Sequence, residues 1–211
     1  MKGVLFDFDG TLTKPGAIDF RAIRRGIGCP HDIAILEYIK LQSPENRTLL
    51  TEMLEGHEAN AARSSVPNAG AEACLSSLKK RAIPIGIITR NSLKSVVVAL
   101  KQFEGIKCHD FDALITRETA PPKPSPEGVF KAAEYMGCFA QELMVVGDFR
   151  FDIIAGKRAG ALTLLLTNGG ESTMAPEDPK PDFVCGHLDD VVEIVLEKVT
   201  LPRPGGPVRE K

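Results

Sequence analysis

From Gly70 to Val199 the sequence alternates between short apolar segments typical of buried strands and longer segments with helical spacing. The strand-like segments are residues 84–89, 111–116, 143–147, 161–166 and 181–185. Such alternation is typical of a parallel sheet with helices on both faces, because parallel strands need a crossover that a helix supplies. We therefore predict an α/β fold with a Rossmann-like parallel sheet at its core.

One more strand is predicted near the amino end, where the apolar run Val4 to Phe6 leads directly into Asp7 and Asp9. Strand alternation points these two carboxylates to the same side, and Gly10 allows the backbone to turn sharply after them. Carboxylates at the end of a core strand are costly unless a cation compensates them. We infer a divalent metal, with Mg²⁺ as the best candidate.

The domain organisation follows from a change of pattern after this first strand. Residues 14–68 show helical spacing and no convincing strand. We predict a catalytic core of residues 1–13 and 69–200, interrupted by a small helical module of residues 14–68. Residues 201–211 are rich in Pro, Gly and charge, which predicts a disordered tail.

Composition excludes several classes of partner. The net charge is −2, so there is no excess of Lys and Arg to bind nucleic acid electrostatically. No apolar run approaches the roughly 18 residues needed to span a membrane. The five cysteines are odd in number and form no Cys-x-x-Cys pair, which favours reduced thiols over disulfides or a zinc site. We predict a cytoplasmic protein, and its oligomeric state is not predicted.

Three later segments carry polar residues where strands end, which is where parallel sheets bind ligands. They contain Thr89 with Arg90 and Asn91, Lys123 flanked by prolines, and Asp148 with Asp152. Taken singly, a helix cap at Thr89, a solvated Lys123 and acids of an ordinary first helical turn remain alternatives. The order Asp, Thr, Lys, Asp at successive strand ends favours one shared site.

These residue types suit phosphoryl transfer. A carboxylate can attack phosphorus to form an aspartyl-phosphate, while a hard cation held by carboxylates offsets the repulsion of an anionic substrate. A hydroxyl and a lysine can hold the equatorial oxygens as charge develops on them. A second acid can protonate the leaving oxygen and then activate water.

With these motifs the chain resembles the haloacid dehalogenase superfamily, in its phosphatase branch near the phosphoglycolate phosphatase-like enzymes. The resemblance implies that Asp7 is the nucleophile and Asp9 the general acid/base. It also implies that Mg²⁺ is held by the Asp7 side chain, the Asp9 carbonyl and Asp148, with Asp152 assisting. Phosphate-binding residues would be Thr89 and Lys123, with Arg90 and Asn91 as further candidates. The helical module corresponds to the small mobile cap of the family.

We therefore predict a Mg²⁺-dependent phosphatase that hydrolyses a small, soluble phosphomonoester, such as a phosphoglycolate-like compound or a sugar phosphate. The acid at position 9 disfavours dehalogenation, which has no leaving oxygen to protonate. A phosphomutase using the same site, or a non-catalytic phosphate-binding or scaffold domain, remains an alternative. Within the predicted cap, Arg24 or Arg25 is a candidate to meet a second anionic group on the substrate.

Overall fold

The fold is described from a computed structural model, which describes residues 1–200 and the side chains of residues 1–198. The described strands are β1 (Gly3–Phe6), β2 (Ile85–Ile88), β3 (Ala113–Ile115), β4 (Leu143–Gly147), β5 (Leu162–Leu166) and β6 (Phe183–Cys185). All pairings are parallel, and the strand order in the sheet is β3-β2-β1-β4-β5-β6. The predicted α/β fold with a parallel sheet is confirmed. The predicted disorder of residues 201–211 lies outside the described residues.

Eight α-helices accompany the sheet in the described part of the chain. They are α1 (Phe20–Ile27), α2 (Ile35–Lys40), α3 (Pro44–Ser64), α4 (Ala71–Lys80), α5 (Leu93–Leu100), α6 (Glu127–Tyr135), α7 (Arg150–Ala159) and α8 (Leu188–Thr200). Short 3₁₀ turns occupy Cys108–Asp110 and Ala140–Glu142. Among residues 1–200, no helix combines the length and the apolar character that crossing a membrane requires.

Side-chain alternation along β1 divides the core into two layers. Val4 and Phe6 pack into a cluster on one face, with buried residues of α4, α5 and α8, whereas Leu5 packs into the other cluster with α6 and α7. All of these β1 side chains are fully buried. This strand is therefore the middle of the molecule, covered on both faces, and the residues that follow it are held in a well-packed position.

The helices between β1 and α4 have an apolar cluster of their own. It is formed by Ile18, Ile23, Ile27, Cys29, Ile35, Ile39, Leu54 and Ala61. These residues come from α1, α2, α3, the segment before α1 and the loop between α1 and α2. We call residues 14–68 the helical insert. Its predicted role as a cap, and the predicted domain boundaries, stay predictions.

The register of the central strands positions the site. Phe6 at the end of β1 pairs with Ile87 of β2 on one side and with Val146 of β4 on the other. The Asp7 backbone N–H continues this pairing by donating to the Val146 carbonyl at 2.8 Å. Consequently, the carboxyl ends of the three strands lie side by side, and the residues that follow them share one edge of the sheet.

Candidate active site

A buried lysine lies at the centre of the polar cluster at this edge. The Lys123 ammonium donates to Asp7 Oδ1 and Asp152 Oδ1, each at 2.5 Å, and to the Ile88 carbonyl at 2.7 Å. Only 3% of the lysine is exposed. Burial alone would lower the pKa of Lys123, but the carboxylates of Asp152 and Asp7 outweigh this effect and raise the pKa overall. The lysine therefore stays charged and binds the two acids together.

Three carboxylates lie close together at this edge, and two of them are bonded to the lysine. One oxygen each from Asp7, Asp148 and Asp152 lies within 4.8 Å of the others. Burial raises the pKa of Asp148, and the neighbouring charges of Asp7 and Asp152 raise it further. Burial also raises the pKa of Asp152, although Lys123 opposes that shift. Because a single ammonium leaves the carboxylates repelling one another, additional positive charge would stabilise the cluster.

The same donor set fits a hard divalent cation. Carboxylate oxygens are the ligands that Mg²⁺ prefers, and the three acids are close enough to share one ion. Asp148 is oriented by Thr11, whose hydroxyl donates to Asp148 Oδ1 at 3.1 Å. Gly10 makes room for this acid, since a Cβ built on it would lie 2.3 Å from Asp148 Oδ2, and the φ angle of Gly10 is +82°.

Asp9 lies beside this cluster with a different environment. Its Oδ2 accepts a 2.5 Å hydrogen bond from Asn91 Nδ2. Burial and the charge of Asp7 raise the pKa of Asp9 to about 7, against the opposing effect of the Asn91 hydrogen bond. An acid whose pKa lies near neutrality can both release and accept a proton at physiological pH.

The end of β2 brings three further predicted residues to the site region in different ways. Thr89 is buried and its hydroxyl accepts the Asn91 backbone N–H at 3.1 Å, so Thr89 and Asn91 lie together beside Asp9. Arg90 turns toward the helical insert instead. Its guanidinium forms a two-pronged ion pair with Glu37 at 3.1 and 2.6 Å, and it also donates to the Lys123 carbonyl.

Comparison with known proteins identifies the family. The sequence model of the haloacid dehalogenase-like hydrolases matches residues 1–160. This chain belongs to the haloacid dehalogenase-like hydrolase family. The predicted enzyme class, a hydrolase of this family, is confirmed.

Two relatives and one solved structure illustrate the likeness of this haloacid dehalogenase-like hydrolase. A haloacid dehalogenase-like hydrolase domain-containing protein of Arabidopsis thaliana is 32% identical over an alignment of 213 positions. The alignment covers 92% of this chain and 84% of the relative. A phosphoglycolate phosphatase of Neisseria meningitidis is 35% identical over 127 residues, covering 58% of this chain and 53% of the relative. The crystal structure of a hydrolase from Pseudomonas syringae shares the fold, with a TM-score of 0.76, 21% identity and coverage of 93% and 99%.

The two arginines predicted to meet the substrate of this hydrolase do not join the carboxylate cluster. Arg24 donates to the carbonyls of Pro30 and Ile33 at 2.5 and 2.7 Å, and thereby closes the loop after α1. Arg25 is exposed on α1. The structure thus gives Arg24 a local structural contact, and a role of either arginine in specificity stays a prediction.

Two asparagines that the sequence analysis did not single out support the loop after β1. Asn168 donates to the Gly10 carbonyl at 2.8 Å, and Asn68 donates to the Thr11 carbonyl at 2.9 Å. The two amides also bond to each other at 2.9 Å. The sequence did contain a signal for Asn168, because this residue lies just after β5, as the other polar residues of the site lie just after their strands. No comparable signal marks Asn68.

A buried ion pair between the helical insert and the core was also missed. Glu58 of α3 accepts from Arg117, which follows β3, at 2.5 Å, and Glu55 lies 3.4 Å from the same guanidinium. The Glu58 side chain is 4% exposed, whereas that of Glu55 is 49% exposed. Nothing in the helical pattern of α3 distinguishes Glu58, since an acid within a helix is ordinarily solvated.

Proposed function

We propose that this chain is a Mg²⁺-dependent phosphatase that hydrolyses a small, soluble phosphomonoester through an aspartyl-phosphate on Asp7. The observation that carries the proposal is the environment of the Asp7 carboxylate, which accepts a hydrogen bond from the Lys123 ammonium and forms a cluster with the carboxylates of Asp148 and Asp152. The relative in Neisseria meningitidis that is named phosphoglycolate phosphatase supports the same class of reaction. The net charge of −2 supports a small-molecule substrate over nucleic acid.

In the first half of the reaction, a carboxylate oxygen of Asp7 attacks phosphorus, and the bond from phosphorus to the leaving oxygen breaks. Asp9 donates its proton to that oxygen, so the product leaves as a neutral alcohol. The raised pKa of Asp9, about 7, keeps a proton available for this step near neutral pH. The ammonium of Lys123 and the hydroxyl of Thr89 are proposed to bind the equatorial phosphoryl oxygens.

In the second half, water attacks the phosphorus of the aspartyl-phosphate and gives a proton to Asp9. The bond between phosphorus and Asp7 breaks, inorganic phosphate leaves, and both acids return to their starting states. Asn91, bonded to Asp9 Oδ2, is proposed to orient Asp9 for both proton transfers. The alcohol and phosphate together account for the ester and the water consumed.

The proposed metal ligands are the side chains of Asp7 and Asp148 and the backbone carbonyl of Asp9, with Asp152 assisting. When bound, Mg²⁺ supplies positive charge that neutralises the acids and the phosphoryl oxygens. Thr11 supports this role of Asp148 by orienting its carboxylate, and Asn168 supports the loop that carries Asp9.

The helical insert is proposed to act as a cap that limits the access of water. Ala17 and Ile18 of the insert line the opening beside Asp9 and Asp148, which supports this role. Arg90 is proposed to act on phosphate only indirectly, through its contact with the Lys123 carbonyl. All five cysteines are free, which supports the proposed cytoplasmic location.

The experiment that tests the proposal measures phosphate release from p-nitrophenyl phosphate, phosphoglycolate and a series of sugar phosphates, with Mg²⁺ or with EDTA. We expect Mg²⁺-dependent release from at least one compound. Isomerisation of a sugar phosphate without release would favour a phosphomutase instead. A folded protein that binds phosphate but releases none from any ester would favour the scaffold alternative and contradict the proposal.

A further inference from the structure

One buried carboxylate oxygen near the candidate site lacks a hydrogen-bond partner in the part of the chain that the structure describes. Glu58 Oε1 accepts from Arg117, but Glu58 Oε2 is buried and has no hydrogen-bond partner among the described residues. Burial raises the pKa of the Glu58 carboxyl, although Arg117 and the backbone N–H of Ser92 oppose this shift. A buried acceptor without a donor is costly, so such a group in a folded protein points to a missing partner.

Glu58 lines a small internal cavity together with Asp9, Ile18 and Asn91. The cavity has room for a single water-sized group. No lysine or arginine is present among the described residues that line it. Its walls therefore present two carboxyl groups, neutral polar groups and apolar surface, and a second anion placed there would find no cation among the residues that line it.

The side-chain donors that line this cavity each form a hydrogen bond with another group. Asn91 Nδ2 donates to Asp9, the hydroxyl of Ser95 is paired with that of Ser92 at 2.9 Å, and the hydroxyl of Ser65 donates to a backbone carbonyl. None of these groups forms a hydrogen bond with Glu58 Oε2. The Ser92 backbone N–H faces the Glu58 carboxyl but forms no hydrogen bond of normal geometry with Oε2, so this oxygen is open to a donor from outside the chain.

The position of the cavity indicates which molecule could bring that donor. Asp9, Ala17 and Ile18 line both this cavity and the opening that reaches Asp148. In the proposed reaction Asp9 protonates the leaving oxygen, so the leaving group lies against Asp9. A short substituent of the leaving group would then reach Glu58, whereas the phosphoryl group would remain at Asp7.

We propose that Glu58 is a specificity-determining residue that accepts a hydrogen bond from a hydroxyl or ammonium group on the leaving group. The inference rests on the proposed function and specifies its substrate class further. The preferred substrates are small alkyl phosphates with a donor near the ester, such as polyol or amino-alcohol phosphates. Compounds with a carboxylate there, such as phosphoglycolate, are disfavoured because the carboxylate would face Glu58 and Asp9.

The test compares four esters of similar size: 2-aminoethyl, 2-hydroxyethyl and propyl phosphate, and phosphoglycolate. For the native protein with Mg²⁺ we expect kcat/KM to be at least about tenfold higher for one of the two donor compounds than for propyl phosphate. Phosphoglycolate should be the poorest of the four. A ratio of two kcat/KM values from one preparation is insensitive to the fraction of folded enzyme.

Variants assign this preference to Glu58. In Glu58→Leu the ratio of donor compound to propyl phosphate should fall to near one. In Glu58→Gln, a preference for the ammonium compound should be lost, whereas one for the hydroxyl compound should largely remain, because a neutral amide oxygen still accepts a hydrogen bond. Glu55→Gln is the matched control: Glu55 also pairs with Arg117 but is half exposed, and its loss should leave the ratio unchanged.

The outcomes separate this inference from the proposed function. If the ratio of donor compound to propyl phosphate fell as far in Glu55→Gln as in Glu58→Leu, the preference would depend on the Arg117 ion pair. That result would overturn the role of Glu58. Turnover of p-nitrophenyl phosphate with no preference among the four esters, or with phosphoglycolate as the best of them, would overturn this inference alone. No phosphate release from any compound would overturn both proposals.

Discussion

We call the cluster of Asp7, Lys123, Asp148 and Asp152 the floor of the candidate site. The floor and the helical insert are held by charged contacts of different kinds. In the floor, Lys123 and Asp152 are 3% and 2% exposed, and both belong to the same cluster as Asp7. In the outer of the two described ion-pair contacts between the insert and the core, Glu37 is 42% exposed and Arg90 22% exposed. Buried charges are screened little by water and salt, whereas exposed ones are screened strongly.

The difference in burial suggests that the floor and the insert have different roles in the proposed reaction. The floor follows strands whose register fixes the positions of its carboxylates, so changes there should affect the chemistry for every substrate. The insert contacts the core through side chains on separate helices, Glu37 on α2 and Glu58 on α3. Changes there should alter docking and selectivity, and leave the reaction itself in place.

The largest expected effect comes from removing the proposed nucleophile. Asp7→Asn should lower kcat by at least about 10³-fold, because an amide cannot form the acyl-phosphate. Phosphate release measures the effect, and circular dichroism checks the fold. Asp32→Asn, which removes an exposed acid of the insert, should keep native activity. Full activity of Asp7→Asn would contradict the proposed mechanism.

Removal of metal should have the next largest effect. EDTA should reduce phosphate release by at least about 10²-fold, since the carboxylates of Asp7, Asp148 and Asp152 would repel an anionic substrate. Independently of activity, Mg²⁺ at 100 times its Kd should stabilise the fold by about 2.7 kcal/mol.

The matching variant for metal binding is Asp148→Asn, which should lose most of this stabilisation in thermal unfolding. Sodium chloride at equal ionic strength controls for general salt effects. If Mg²⁺ raised the Tm of the variant as much as that of the native protein, the assignment of Asp148 as a ligand would be wrong.

A pair of glycine variants tests how closely the floor is packed. Gly10→Ala and Gly137→Ala both place Ala at a positive φ, +82° and +61°, which should cost each fold about 1 kcal/mol. Only at Gly10 would the new Cβ displace Asp148, because nothing lies within 4 Å of a Cβ at Gly137. We therefore expect about tenfold or greater loss of kcat/KM in Gly10→Ala alone. Equal activities of the two variants would show that Asp148 adjusts freely.

Backbone geometry explains why the sequence was sufficient to predict the parallel sheet and the grouping of polar residues at its edge. Asp7, Thr89 and Asp148 each follow a strand, and parallel pairing of β2, β1 and β4 necessarily brings these positions together. Asn168 follows β5 in the same way and could have been included. These inferences needed only strand order and direction, and no knowledge of side-chain packing.

The contacts of the insert could not be inferred in this way. Glu37 and Arg90 are 53 residues apart, and Glu58 and Arg117 are 59 apart. Their pairing depends on how three helices pack on one another and on the core, which a periodic pattern does not specify. For the same reason the pattern of α1 could not indicate that Arg24 would bond to the carbonyls of the following loop.

The smallest expected effect concerns the exposed ion pair between the insert and the core. A double-mutant cycle with Glu37→Gln and Arg90→Met, measured by urea unfolding, should give a coupling free energy of about 0.5–1 kcal/mol at low salt. The coupling should decrease at 1 M sodium chloride, where the Debye length is about 3 Å. The cycle is needed because Arg90 also stacks on the Phe151 ring, 5.1 Å from its centroid.

The buried pair of Glu58 and Arg117 provides the contrast for that measurement. With side chains 4% and 11% exposed, its coupling should exceed that of Glu37 and Arg90 and should change less with salt. If the two couplings were equal and equally sensitive to salt, the insert would be held to the core by contacts of a single kind. The distinction between a screened outer contact and a buried one beside Asp9 would then be lost, and selectivity would have to arise elsewhere in the insert.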